Sequence, residues 1–177
     1  METTSNSPYR VTPYRVFLAY LLLTFYCFGA GMMNEFVEYL SYADLGQYVS
    51  PAQFARWHQA TSHNVLLFLV LPILLGNIAL LALFFNRPAS VPKWTLWVAL
   101  TCALTAWAST ILFQVPIEQQ FDQGHFSPAL MARLWQTDWI RKTAFFVEIG
   151  VVIFMAVCFL RSVNKRPSVS NADLVTQ

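Results

Sequence analysis

Four long apolar segments dominate this chain of 177 residues and restrict what it can fold into. Three of them contain no Asp, Glu, Lys, Arg or His, and the last contains a single acid, Glu148. A helix of about 20 apolar residues crosses a bilayer core of about 30 Å, so each segment is long enough to span one. The segments are Val16–Asn34, Asn64–Asn86, Trp94–Ile117 and Thr143–Leu160.

The composition agrees with this class. Hydrophobic residues make up 56% of the chain and charged residues 11%, whereas a soluble domain has about 25% charged residues. We therefore predict an all-α, polytopic membrane protein: an up-down-up-down bundle of four transmembrane helices over residues 16–161, with helical extensions outside the cytoplasm. Residues 1–15 and 162–177 are predicted cytoplasmic tails. The net charge of +2 includes no basic patch, so the lipid bilayer is an expected partner and nucleic acid is not.

The distribution of Lys and Arg predicts the orientation. With the N-terminus in the cytoplasm, seven basic residues lie on that side and four on the other, and Arg87 and Lys93 in the short connection strengthen the bias. We predict a bacterial inner-membrane protein with both termini in the cytoplasm. All three histidines and seven of the nine acidic residues then lie at or towards the outer face.

Two stretches of the chain are alike. Ser50–Gln59 and Ser127–Gln136 are identical at six of ten positions, and each precedes an apolar segment. Ser50 and Ser127 are predicted N-caps, because the next residue in both stretches is a proline, which suits the first helical position. The likeness fits either an internal repeat of residues 16–86 and 94–161 or shared capping chemistry alone.

Two prolines and two connections complete the outline. Pro72 is predicted to kink the second helix, and Pro116 to stop or bend the third helix just after Gln114. The stretches Met33–Val49 and Gln114–Phe126 are the long connections, and both are predicted to lie outside the cytoplasm.

Glu148, His63 and Arg141 are the candidate catalytic residues. An ionised carboxylate at depth in a bilayer costs at least a few kcal/mol, so Glu148 is expected to be protonated or paired and to face the bundle. Arg141 lies seven residues earlier on the same helical face, and His63 is the histidine nearest the bilayer. A structural ion pair is the alternative role for Glu148.

A rim of polar and aromatic residues supplies ligand-binding candidates. Such a rim could hold an amphiphile, or it could merely solvate the helix ends. No HxxxH, ExxH or HExxH element occurs, so we predict no metal site, and the sequence indicates no cofactor. The rim candidates are Gln114, Glu118, Asp138, Trp139, Glu35, Glu38 and His58.

Two short motifs carry a family resemblance. The segments Gln114-Val-Pro116 and Thr137-Asp-Trp-Ile-Arg141 resemble the QVP-x-H and T-N-W-[IVL]-R segments of uncharacterised bacterial four-helix membrane proteins. In the first half, Phe36-Val, Phe54-x-x-x-His58 and Pro72 are also similar, so the resemblance spans about Gly31–Val157. Glu118 replaces the usual histidine and Asp138 the usual asparagine, which puts any role of that imidazole in doubt.

A more distant similarity is to the membrane group that includes fungal anthrone oxygenases. It implies oxidation of a phenol-like polycycle without a metal or flavin, with a carboxylate or imidazole as the base. Glu148, His63 and Arg141 would fill the catalytic roles.

Two functions of different class follow from the sequence. The first is binding, with or without oxidation, of a small hydrophobic or quinone-like molecule at the outer rim. It predicts an apolar cavity lined by Glu148 and reached past Gln114, Trp139 and Arg141. The second is a non-enzymatic partner or assembly protein of a larger membrane complex, or a homo-oligomer, and it predicts a closed core. A transporter is a third hypothesis.

Overall fold

The computed structural model describes residues 12–164, which are helical throughout apart from short turns. Three π-helical segments interrupt the α-helices. In chain order the elements are α1 (Thr12–Met33), π1 (Asn34–Glu38), α2 (Tyr39–Tyr48), α3 (Pro51–Val65), π2 (Leu66–Val70), α4 (Leu71–Asn86), α5 (Lys93–Ser109), π3 (Thr110–Gln114), α6 (Val115–Asp122) and α7 (Pro128–Asn164).

These elements join into four continuous long helices, each long and apolar enough to cross a membrane, as in a multi-pass membrane protein. The first to fourth long helices are Pro13–Tyr48, Pro51–Asn86, Lys93–Asp122 and Pro128–Asn164. The predicted all-α class is confirmed. Of the predicted tails, 12–15 and 162–164 are helical, and the remainder of 1–15 and 162–177 lies outside the described residues.

Both predicted N-caps are present. The Ser50 hydroxyl accepts a hydrogen bond from the backbone N–H of Gln53 at 3.4 Å, and the Gln53 side chain accepts one from the backbone of Ser50 at 3.0 Å. The Ser127 hydroxyl accepts from the N–H of Leu130 at 3.1 Å. Because these caps satisfy orphan donors of the first turn, the second and fourth long helices begin well before their apolar segments.

The two predicted connections are mostly helical. Residues 34–48 continue the first long helix, and the third long helix runs past Pro116 to Asp122. Gly124 ends it instead: its φ of +80° is a left-handed conformation that suits glycine, and the N–H of His125 bonds the carbonyl of Gln120 at 2.9 Å. Of the two outcomes expected at Pro116, a stop or a bend, the stop is therefore wrong.

Two apolar clusters lie along the bundle. Along the chain, the first and third long helices reach the proximal cluster first, and the second and fourth reach the distal cluster first. The proximal cluster is Phe17, Tyr20, Leu80, Leu83, Val91, Leu96, Ala99, Val152 and Met155. The distal cluster is Tyr39, Tyr42, Phe54, Ile117, Phe121, Met131 and Leu134.

Each half of the chain forms a helical hairpin. The most extensive packing between elements joins α1 to α4 and α5 to α7. Small residues such as Ala106 and Ala144 at the α5–α7 interface allow close approach of the two helices. The paired hairpins are compatible with the repeat considered from the sequence.

Two of the π segments end just before a proline. Pro72 follows π2 and Pro116 follows π3, each after one intervening residue. A proline lacks the N–H of a regular helical turn, and its ring clashes with the carbonyl four residues earlier. The wider π turn accommodates the ring without ending the helix, so the helix continues through both prolines with a local widening.

Candidate functional site

A cavity of about 300 Å³ lies inside the bundle, between the proximal and distal clusters. All four long helices line it, and so do all three π segments. Asn34 and Glu35 come from π1, Leu69 from π2, and Gln114 from π3. Because a π turn changes the direction of the side chains that follow it, these segments determine which residues face the cavity. Single π turns occur frequently at functional sites.

The cavity wall is mainly apolar, with polar side chains at a few places. Val65, Ile73, Ala103 and Phe145 form part of the apolar wall. The polar members are distributed over the four helices: Asn34, Glu35, Ser62, Asn77, Thr110, Gln114, Glu118, Asp122, Arg141 and Glu148.

Glu148 lines the cavity and is held from the first long helix. The hydroxyl of Tyr20, itself 1% exposed, donates a hydrogen bond to Glu148 Oε1 at 3.1 Å. Glu148 thus faces the bundle interior, where a partner is available, as the cost of burying a carboxylate requires.

Gln114 is a buried, uncharged polar residue of the cavity wall with one polar atom unpaired. It is 2% exposed, and its Oε1 accepts a hydrogen bond from the Ser109 hydroxyl at 3.4 Å. Its Nε2 has no hydrogen-bond partner among residues 12–164. A buried donor without a partner costs about 1–3 kcal/mol. The amide lines the cavity, so an acceptor bound there would remove this cost.

Four charged side chains form a buried ionic network beside the cavity. Arg141 Nη2 lies 2.6 Å from Asp138 Oδ1 and 3.3 Å from Glu35 Oε1. Lys142 Nζ lies 3.0 Å from Asp138 Oδ2 and 3.5 Å from Glu35 Oε2. The carboxylate oxygens are within ion-pair distance but outside hydrogen-bond geometry. Two acids and two bases cancel in charge, which permits burial of all four.

Arg141 connects this network to the cavity. Its Nη2 also donates a hydrogen bond to the Tyr39 hydroxyl at 3.1 Å, and its buried Nε has no hydrogen-bond partner within the described part of the chain. Arg141 is thus held in one orientation at the edge of the cavity by Glu35, Asp138 and Tyr39. On the other side of the network, Lys142 lies against the rings of Phe36 and Trp139.

A second polar group ties α3 to α6 at the mouth of the cavity. His58 is fully buried, with Nε2 2.6 Å from Glu118 Oε2 and Nδ1 2.8 Å from Asp122 Oδ1. A neutral imidazole has one N–H donor, whereas an imidazolium has two, so only the charged ring donates to both carboxylates. The rings of Tyr42, Phe54 and Phe121 surround it.

The structure thus separates the sequence candidates into four groups. Glu148, Arg141, Gln114, Glu118 and Glu35 line the cavity; Asp138 and His58 contact residues that do. Glu38 lies in a groove outside the cavity, where it accepts a hydrogen bond from Tyr42 at 3.3 Å. His63 and Trp139 are exposed and do not reach the cavity.

Sequence reasoning missed Asp122, Lys142, Tyr20 and Tyr39. One signal was available: Glu118 and Asp122 are spaced i, i+4 and so share a helical face. Among residues 12–164, no group of three or more His, Cys, Asp and Glu side chains could hold a metal ion.

Comparison with known proteins adds no relatives to these observations. No protein-family model matches the chain, and searches of curated proteins and of solved structures found no match. The family resemblances drawn from the sequence stay predictions.

Proposed function

We propose that this chain is an integral membrane protein that binds a small hydrophobic, quinone-like molecule in the central cavity. With the predicted orientation, the cavity opens towards the outer face. The observation that carries the proposal is the buried, unpartnered amide of Gln114 in a cavity with mainly apolar walls.

The size and character of the cavity fit such a ligand. Small-molecule sites occupy about 300–1,000 Å³ and combine apolar walls with a few polar groups that fix orientation. At about 300 Å³ this cavity is at the lower end, which suits a compact ring system. A closed core, which the assembly-protein alternative predicts, would leave no such space, so the cavity favours ligand binding.

The polar groups match a ring with oxygens at both ends. Gln114 Nε2 and Arg141 Nε are donors without partners, so they suit a carbonyl oxygen. Glu148 is seven residues beyond Arg141, or about 10 Å along the helix, and its carboxylate suits a hydroxyl. A quinone has carbonyl oxygens that accept hydrogen bonds from the two donors. Its reduced form has hydroxyls that can donate to the carboxylate.

The charge of the lining favours a neutral ligand over an anion. Of the four carboxyl side chains that line the cavity, Glu35 is paired with Arg141 and Lys142, and Glu118 and Asp122 share the single imidazole of His58. With Glu148 in addition, acids outnumber bases around the cavity. An anionic ligand would add to this excess of negative charge. In this proposal Glu148 accepts the proton of a bound phenol-type hydroxyl, the role of base that the sequence resemblance implies.

Mass spectrometry of the protein in native membrane particles tests the proposal. We expect a copurified apolar molecule with ring oxygens in the wild type. Ile73→Trp places a large side chain in the cavity and should remove this molecule, whereas Leu75→Trp, on an exposed face of the same helix, should retain it. Equal amounts in both variants, or no such molecule at all, would contradict the proposal; a stoichiometric protein instead would support the assembly alternative.

A further inference from the structure

A surface groove of about 390 Å³ lies between the first and second long helices and adjoins the central cavity. The groove and the cavity share three lining residues, Asn34, Val65 and Leu69. These residues lie between the groove and the cavity, so the two spaces are neighbours at the interface of the first and second long helices.

The groove has an apolar part and a polar part. Ala30, Met33 and Phe68 line the apolar part, whereas Glu38 and Asn64 lie at the polar part. From Tyr26 to Glu38 the groove follows the first long helix for about 18 Å. It lies within two helices that are long and apolar enough to cross a membrane, so its open side would face lipid.

A second groove shows that this continuity is selective. The space between the third and fourth long helices, about 480 Å³, is also apolar and open, with Thr101, Trp139 and Val147 among its lining residues. It shares no lining residue with the cavity. Of the two grooves, only the one between the first and second long helices is placed to continue the internal site.

We propose that the ligand is a membrane-embedded amphiphile whose ring occupies the cavity and whose long apolar tail lies in the groove between the first and second long helices. This inference rests on the proposed function and specifies its substrate class. A cavity of about 300 Å³ has room for a ring system but not for a prenyl or acyl chain in addition, so the tail must leave it. In this proposal the tail passes beside Val65 and Leu69 and then lies along the apolar part of the groove, which is the environment it prefers.

Binding of two matched probes to the full chain in lipid nanodiscs tests this assignment. Menadione is a naphthoquinone ring without a tail, and menatetrenone is the same ring with a geranylgeranyl tail. Ala30→Trp fills the groove, whereas Gly29→Trp places the same side chain one residue away, where nothing lies within 4 Å. Comparing the two variants in identical nanodiscs cancels the partitioning of each probe into lipid.

We expect Ala30→Trp to raise the Kd of menatetrenone at least about tenfold relative to Gly29→Trp, the effect of forcing bulk into an occupied space. The Kd of menadione should change less than about twofold, since its ring does not reach Ala30. If menadione binds but the menatetrenone affinities of the two variants agree, the tail assignment is wrong while the cavity proposal survives. If menadione fails to bind the wild type, the cavity proposal itself fails.

A labelling experiment keeps the inference testable should Ala30→Trp not fold. A menatetrenone analogue with a diazirine on its tail is irradiated with the wild-type protein, and the labelled peptides are identified. Labels in residues 26–37 and 61–69 support the assignment. Labels concentrated in residues 101–105 and 139–147 would place the tail in the other groove and overturn it.

Discussion

The hydroxyl of Tyr26 on the first long helix donates a 2.8 Å hydrogen bond to the backbone carbonyl of Phe68 on the second. In a regular α-helix the N–H of residue 72 would bond this carbonyl, but residue 72 is a proline and has no N–H. Tyr26 therefore supplies the donor that Pro72 lacks. In surroundings without water, an unpaired carbonyl at this position would be costly.

This pairing predicts a dependence between Tyr26 and Pro72. Tyr26→Phe should lower the free energy of unfolding by about 0.5–1.5 kcal/mol, the usual net contribution of one hydrogen bond. Pro72→Ala provides the missing N–H, so Tyr26→Phe should cost less in that background. Thermal unfolding of the wild type, both single variants and the double variant gives the coupling. Additive effects would show that Tyr26 does not replace the proline N–H.

The His58 group predicts a charged, buried imidazole. Nitrogen NMR of the labelled protein at neutral pH should show both ring nitrogens protonated, because each faces a carboxylate. His58→Leu should destabilise the fold by about 1.5–3 kcal/mol, the range for hydrogen bonds to charged groups. His125→Leu is the control. Because this ring is exposed, its replacement should change the free energy of unfolding by less than about 0.5 kcal/mol. A neutral His58 tautomer would refute the assignment.

The ionic network predicts a non-additive response to charge removal. Lys142→Met leaves Glu35 and Asp138 with one cation between them, and breaking a buried pair in this way costs about 3–5 kcal/mol. Adding Glu35→Gln removes the excess negative charge, so the double variant should be more stable than Lys142→Met alone. Arg133→Met, at an exposed position of the same helix, should have little effect. Melting temperatures in detergent distinguish these outcomes, and equal losses for Lys142→Met and Arg133→Met would argue against the network.

Replacing Gln114 is predicted to affect the stability of the protein and its ligand binding in opposite directions. Gln114→Leu removes a buried donor that has no partner, so the ligand-free protein should gain stability, by up to about 1–3 kcal/mol. The same change should weaken ligand binding, since the donor for a carbonyl oxygen is lost. Gln119→Leu, on an exposed face of α6, should alter neither property. Destabilisation of the ligand-free protein by Gln114→Leu would mean that the amide is satisfied without a ligand.

Much of the helical framework could be predicted from the sequence, because it depends on local properties. Apolar length located the four long helices, and serine followed by proline located two of their starts. The π segments could not be placed in this way. Pro72 and Pro116 indicate that the regular helical hydrogen bonding is interrupted. Whether the helix stops, kinks or widens there depends on what packs against it. The first π segment, Asn34–Glu38, has no proline near it and no comparable signal.

A site residue could be predicted from the sequence only where its own chemistry determines its position. Glu148 is a lone acid in an apolar segment, and burial cost alone directs it inward. His58 and His63 are five residues apart, and hydropathy does not distinguish them; the choice depends on Glu118 and Asp122, which reach His58 from another helix. The burial of Lys142 could not be predicted, since its partner Glu35 reaches it only through the register between the first and fourth long helices.

The Kd of menadione for the protein in lipid nanodiscs, measured by titration calorimetry, tests the occupied cavity most directly. We predict saturable binding to the wild type and to Leu75→Trp, and loss of that binding in Ile73→Trp, in which the added indole takes the ligand's place. Equal binding to Ile73→Trp and Leu75→Trp, with both variants folded, would contradict the claim that this cavity holds the ligand.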